Sequence, residues 1–224
     1  MGVIRELENA FQENSNPENA FAMAKYMKNK FDFFGIKTTE RRHLLKGIWK
    51  ENKIEVTANP RALAVLLFEK KHREFHYCTI EILIKELKGK YLPEDIELVR
   101  KLITVNSWWD TVDTISKYIL GQYLLQYPKS IEITISEFSN SDNMWLNRSA
   151  ILFQLGYKDK TDFELLKKIC QQHQDSSEFF IQKAIGWALR EYTKTNPEAV
   201  KEFVAANNLK PLSRKEALKN LSNA

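Results

Sequence analysis

Apolar positions along the 224-residue chain recur at intervals of three and four, the spacing that gathers one face of a helix. Four prolines, Pro60, Pro93, Pro128 and Pro197, each open such a pattern. A proline suits the first helical turn because its φ is already fixed there and no partner is needed for the missing N–H. The four lie 33, 35 and 69 residues apart, and 69 is close to twice 35. The absent mark falls at Thr161-Asp162, where side chains able to cap a helix replace the proline. A shorter and then a longer helix follow each mark. The shorter helices are predicted to begin near residues 59, 93, 128, 162 and 197, the longer ones near 73, 108, 142, 177 and 213.

Two helices per 34 to 35 residues is the signature of an α-solenoid, in which each pair buries its apolar face against its neighbours. The fold class expected is therefore all-α: a single domain over residues 1–224, with about five HEAT-like helix pairs in 59–224. Residues 1–58 form an atypical N-terminal helical cap carrying PENAFAMAKYMKNKF and TTERRHLLKGIWKEN. The ordered Trp, Gly, Tyr and Ala of a tetratricopeptide unit do not occur, and the second helices have diverged from one another.

Composition narrows the picture. Seven glycines and six prolines are too few for β-sandwiches, dinucleotide folds or phosphate loops and suit helices joined by short turns. The net charge of +5 is only mildly basic and by itself says little about a polyanionic partner. Cys78 and Cys170 stand in separate helical patterns, which points to buried free thiols rather than a disulfide or zinc site. His43, His72, His76 and His173 show no ligand spacing, so no metal is expected; His72 and His76 are read as surface or groove residues. MGVIRELENAFQEN mixes charges into its apolar positions, unlike a signal peptide, and Glu6 stands where a myristoylation pattern requires Ser or Thr. With no apolar run of membrane-spanning length, a cytoplasmic location is expected.

The repeat brings polar residues into register. Asp113, Arg148 and Lys183 are each 35 apart and occupy one site in three successive second helices. Helical spacing adds Trp109 four before Asp113, Trp145 three before Arg148, Trp187 four after Lys183, and Arg190 three beyond that. Each has a plainer reading. Trp108 and Trp145 are read as packing residues, Asp110 as solvated or helping to cap its helix, and Trp109 and Trp187 could belong to the core. Arg148 and Lys183 could simply pair with Asp113 across repeats. As a set, the stripe suits a nucleic acid: basic groups neutralise phosphates, and aromatic faces contact bases or sugars. A carboxylate repels that ligand, so it must serve where positive charge develops. An alkylated purine, or the oxocarbenium-like sugar left as its glycosidic bond breaks, provides such charge.

SWWDTVD (107–113), SDNMWLNRSAILFQLGYKDKTD (141–162) and EFFIQKAIGWALREYTKTNP (178–197) resemble the AlkD-like DNA alkylation-repair glycosylases. FGIKTTERRHLLKGIW (34–49) and REFHY (73–77) also resemble that family's N-terminal segments. The resemblance implies a HEAT-like solenoid whose concave face binds duplex DNA and removes positively charged alkylpurines such as 3-methyladenine and 7-methylguanine. It places the catalytic carboxylate on Asp113, the tryptophans flanking the lesion on Trp109 and Trp187, and the essential arginine at the backbone on Arg148. Backbone binding falls to Lys183 and Arg190, and in the N-terminal segment to Thr38, Thr39, Arg41 and Arg42. The plainer account of TTERR is a helix start, with a threonine cap and solvated arginines.

An alkylated purine is already a good leaving group, so the expected chemistry needs no strong general acid on the base. An ionised Asp113 stabilises the sugar and positions water, with no cofactor and no Schiff-base lysine. Asp110 is set aside as a second carboxylate, because it shares a face with Asp113. The resemblance further implies a base that stays stacked. A monomer without an obligate protein partner is expected. The alternative is a non-catalytic HEAT-like module that binds DNA or a protein; an RNA-reading repeat fits less well, since no recurring base-reading pair is present.

Overall fold

The computed structural model describes residues 2–219 and 221. All regular structure among them is helical, apart from one isolated backbone bridge between Asp32 and His72. Contacts divide the chain into two compact units, Met1–Tyr91 and Leu92–Ala224.

The first unit holds α1 (Gly2–Glu13), α2 (Pro17–Tyr26), α3 (Thr38–Glu51), α4 (Lys53–Ala58), α5 (Pro60–Phe68) and α6 (Arg73–Glu86). Val3, Leu7 and Phe11 recur every fourth residue of α1 and bury against Leu45, Trp49, Leu63, Leu67, Phe75 and Ile82. Each such side chain contributes about 1.5–3 kcal/mol by leaving water. The stretch before α3 has no regular structure of its own and is held by α6. The buried Glu74 carboxylate accepts the backbone N–H groups of Phe34, Gly35 and Ile36 at 3.2, 3.0 and 3.2 Å. Gly35 has φ +88, and a Cβ there would lie 2.0 Å from the Asn16 carbonyl oxygen, so the turn requires glycine. Arg73 lies 3.8 Å above the Phe31 ring and donates to His76 Nδ1 at 3.0 Å. A guanidinium only donates, so Nδ1 accepts and His76 Nε2–H donates to the Lys70 carbonyl at 2.8 Å. The expectation of a surface or groove histidine is therefore corrected at His76, which is 1% exposed. REFHY is an internal lock in this unit.

The second unit holds α7 (Asp95–Thr104), α8 (Trp109–Ile115), α9 (Gly121–Gln126), α10 (Ile131–Ser139), α11 (Met144–Leu152), α12 (Phe163–Gln172), α13 (Phe179–Tyr192), α14 (Pro197–Ala206) and α15 (Pro211–Leu218). A π turn, Ser116–Leu120, runs α8 into α9, and short 3-10 turns occupy Pro128–Ser130 and Lys158–Lys160. Hydrogen bonds across one repeat length join the first helices in a row: Arg100 to Glu137, Ser139 to Gln172, and Gln171 to Asn207, at separations of 37, 33 and 36 residues. A second row runs α8, α11, α13 and α15, joined by Ser116–Ser149, Asp113–Arg148, Arg148–Phe180 and Ser213–Gln182. Two stacked rows of paired helices are the α-solenoid that the proline spacing predicts.

Starting points differ by a residue or two where side chains set the cap. Asp162, in place of a proline, accepts the Leu165 N–H at 2.9 Å, and Asn143 starts α11 by accepting that of Trp145. Pro93 does not open α7: the helix begins at Asp95, whose carboxylate reaches back to the Leu92 N–H at 2.8 Å. Helix α15 begins at Pro211, ahead of the expected 213.

Candidate active site

Trp108 has extended backbone, φ −159 and ψ 159, and α8 begins at the next residue. Its ring packs 5.7 Å from Trp145 and 5.2 Å from Phe180, and these two lie 5.1 Å apart. Trp108 and Trp145 thus pack as expected, in one aromatic cluster that ties α11 and α13 to the entrance of α8. Trp109 is half-buried, one helical turn ahead of Asp113 on α8.

Asp113 meets Arg148 across the α8–α11 boundary. Arg148 Nε donates to Oδ1 at 2.7 Å and Nη2 to Oδ2 at 2.8 Å, the parallel fork that guanidinium and carboxylate planes allow. Arg148 Nη1 donates to the carbonyl oxygen of Phe180, whose ring centroid lies 5.9 Å from the guanidinium carbon. One arginine therefore links three successive second helices. Arg148 is 4% exposed and the Asp113 side chain 14%. Of the plainer readings, pairing with Asp113 is the geometry adopted by Arg148, but not by Lys183.

Burial pushes the Asp113 carboxyl above its ordinary value. The Arg148 hydrogen bonds and charge pull it back, and Asp110 adds a smaller upward push. Asp110 sits half-buried in the first turn of α8. Arg148 uses one lone pair of each Asp113 oxygen, which leaves acceptor capacity for a further donor.

Lys183 and Arg190 face α15. Glu216 Oε1 lies 3.0 Å from Lys183 Nζ and Oε2 lies 2.7 Å from Arg190 Nη1. The Lys183 hydrogen bond, with that of Arg190, holds the Glu216 carboxyl below its usual range against the opposing effect of burial. Trp187, on α13 between these two cations, is half-buried.

In the first unit, Thr38, Thr39 and Arg42 are exposed along α3, whereas Arg41 is buried. Arg41 Nη2 and Arg42 Nε share Glu81 Oε1 at 2.6 and 3.0 Å, and Arg41 lies 4.6 Å from the Tyr77 ring centre. The helix is entered through Lys37 without a side-chain cap, so neither threonine serves as its cap. Arg41 is not solvated.

Two residues outside the sequence-derived set complete these arrangements. Phe180 lies 35 residues beyond Trp145, so the repeat does carry a signal for it. Glu216 is hidden from a 35-residue comparison because α15 starts early. A cavity of about 320 Å³ between α11, α12 and α13 is lined by Gln154, Lys158, Leu166 and Tyr192, and none of its lining residues belongs to the Asp113 site. Among the described residues no three His, Cys, Asp or Glu side chains are grouped to hold a metal ion.

The family model described as DNA alkylation repair enzyme matches residues 7–221. A solved structure titled as a predicted DNA alkylation repair enzyme from Enterococcus faecalis is 34% identical and superposes with a TM-score of 0.85. That match covers 94% of this chain and 98% of the other. No curated protein matches the chain.

Proposed function

Because the chain belongs to the DNA alkylation repair enzyme family, we propose that it is a monofunctional DNA glycosylase for positively charged N-alkylated purines, 3-methyladenine and 7-methylguanine among them. The observation that carries this reading is Asp113: a carboxylate held by a two-point arginine fork, largely out of water, one helical turn from Trp109 on α8. A solvated surface acid would need neither the fork nor the burial.

In the proposed reaction the bond between sugar C1′ and the purine nitrogen breaks. Its electron pair goes to the base and cancels the base's positive charge. Positive charge passes to the sugar, where the nearby Asp113 carboxylate stabilises it more strongly than water could, being fixed in place and partly desolvated. A water accepted by a free lone pair of Asp113 adds to C1′, and its proton leaves through that carboxylate to solvent. Trp109 and Trp187 pack on the deoxyribose, and each ring face favours the growing cation by about 0.5–2 kcal/mol.

Arg148 acts mainly through Asp113. Its fork fixes the carboxylate's orientation and favours the ionised form, while the bond to Phe180 fixes the arginine. Lys183 and Arg190, with Thr38, Thr39 and Arg42 of the first unit, are proposed to contact the DNA backbone, while Arg41, buried and sharing Glu81 with Arg42, is proposed to support that surface from below. The protein acts as a monomer on duplex DNA and needs no cofactor. Among the described residues no helix is long and apolar enough to cross a membrane.

The test is to incubate purified protein with methylated duplex and measure both free bases and strand breaks. Release of 3-methyladenine or 7-methylguanine with abasic but unbroken strands is expected. Duplex binding without release from any alkylated DNA would establish a non-catalytic module instead.

A further inference from the structure

Successive second helices approach each other at a repeated position. Ser149, the sixth residue of α11, meets Ser116 across α8 and its π turn, hydroxyl to hydroxyl at 2.9 Å. The sixth residue of α15 is Glu216, and it meets Gly186 of α13. A Cβ at position 186 would lie 2.4 Å from Glu216 Cβ and 2.8 Å from the Ser213 carbonyl oxygen. Glycine makes room for a carboxylate where the equivalent contact uses two small hydroxyls. Burying a carboxylate at a packing position is costly unless its charge is answered.

Here it is answered twice. Lys183 and Arg190 stand seven residues, two turns, apart on α13, and the Glu216 oxygens divide between them at 3.0 and 2.7 Å. The Glu216 side chain is 13% exposed, while Lys183 and Arg190 keep 36% and 22% of theirs in solvent. An ammonium has three N–H donors and a guanidinium five, so one contact to Glu216 leaves donors on each. The trio carries a net charge of +1, and a phosphodiester carries about −1.

We propose that Lys183 and Arg190 together form a preformed seat for one phosphodiester of the DNA backbone, with Glu216 as its positioning residue. This rests on the reading of duplex DNA as the ligand. Glu216 orders two long side chains before DNA arrives and so removes a cost that binding would otherwise meet.

Duplex affinity measured from about 50 to about 200 mM salt tests it. Glu216→Gln, which removes the charge at nearly constant volume, is expected to bind ~3- to 10-fold more weakly with a shallower salt dependence. In a Lys183→Ala background the same change is expected to add less than about twofold, because the pair it orders is already broken. Full additivity would overturn the proposal in favour of a purely structural Glu216. Unchanged or tighter binding by Glu216→Gln would also overturn it, the latter identifying Glu216 as a competitor for the cations. If Glu216→Gln does not fold, Lys183→Ala, Arg190→Ala and the double variant decide. One shared phosphate predicts a double loss smaller than the product of the single losses, and a full product overturns the seat. Failure of the native protein to bind any duplex would overturn the DNA reading itself, whereas the other contrary outcomes leave that reading standing.

Discussion

At the residue scale, the Asp113 and Glu216 carboxyls, each sheltered and paired with cations, respond to pH in opposite ways. Asp113 is held above its ordinary value, so the acid limb of its excision rate is expected above about pH 4. Arg148→Ala removes the groups that lower this value and should shift the limb further up while slowing excision near neutrality. A pH–rate profile at saturating enzyme checks both, and an unmoved limb would separate Arg148 from the ionisation of Asp113. Glu216 is held below its ordinary value, so its stabilising contribution is complete above the usual glutamate range of about 4.3. That contribution is lost as pH falls through the lower folded value. Thermal midpoints of native protein and Glu216→Gln should therefore converge in acid. Trp187 is half-buried, so Trp187→Ala is expected to slow excision with a modest stability loss. A loss of about 3–5 kcal/mol, the range for emptying a core aromatic site, would instead assign it to packing.

At the scale of elements, close helix approach decides what can be changed. Gly186 lies against α15, and Gly186→Val should destabilise by at least about 1–3 kcal/mol, measurable by urea denaturation. A neutral outcome would mean that α15 can move away without cost. This contact was not legible in the sequence, since a glycine inside a helical pattern does not name its partner. The helix pairs were legible, because Pro60, Pro197 and the Asp162 cap mark starts through local chemistry that does not depend on the partner helix, whereas Pro93 and Pro128 stand two and three residues ahead of the α-helices they announce. Asp113 and Arg148 could be aligned from the repeat, although their contact through a two-point fork needed the relative rotation of α8 and α11. The π turn after α8 had no sequence signal, and its Ser116 hydroxyl donates to that of Ser149 on α11 at 2.9 Å. Gly121, which follows the turn, packs where a Cβ would come within 2.5 Å of the Phe153 carbonyl oxygen. REFHY matched a family segment, but its role as a lock for the stretch before α3 depends on backbone N–H groups some 38 to 40 residues earlier.

At the scale of the whole molecule, a period of about 35 residues lets an α-solenoid place unlike side chains at equivalent sites. The second helices use that freedom for a carboxylate, its arginine and a pair of cations, while the first helices are joined by neutral amides, hydroxyls and an exposed ion pair. The division places the more sheltered ion pairs, Asp113 with Arg148 and Glu216 with Lys183 and Arg190, in the row that bears the proposed chemistry. In the proposed reaction the ionised Asp113 carboxylate stabilises the sugar as the glycosidic bond of a cationic alkylpurine breaks. The most direct test of that role is single-turnover release of 7-methylguanine from duplex DNA by native protein and by Asp113→Asn, with duplex affinity measured alongside. A fall in rate of about 10²–10³, the scale set by losing one oriented electrostatic group, with affinity retained, is the predicted result. Equal rates in the two proteins would contradict it.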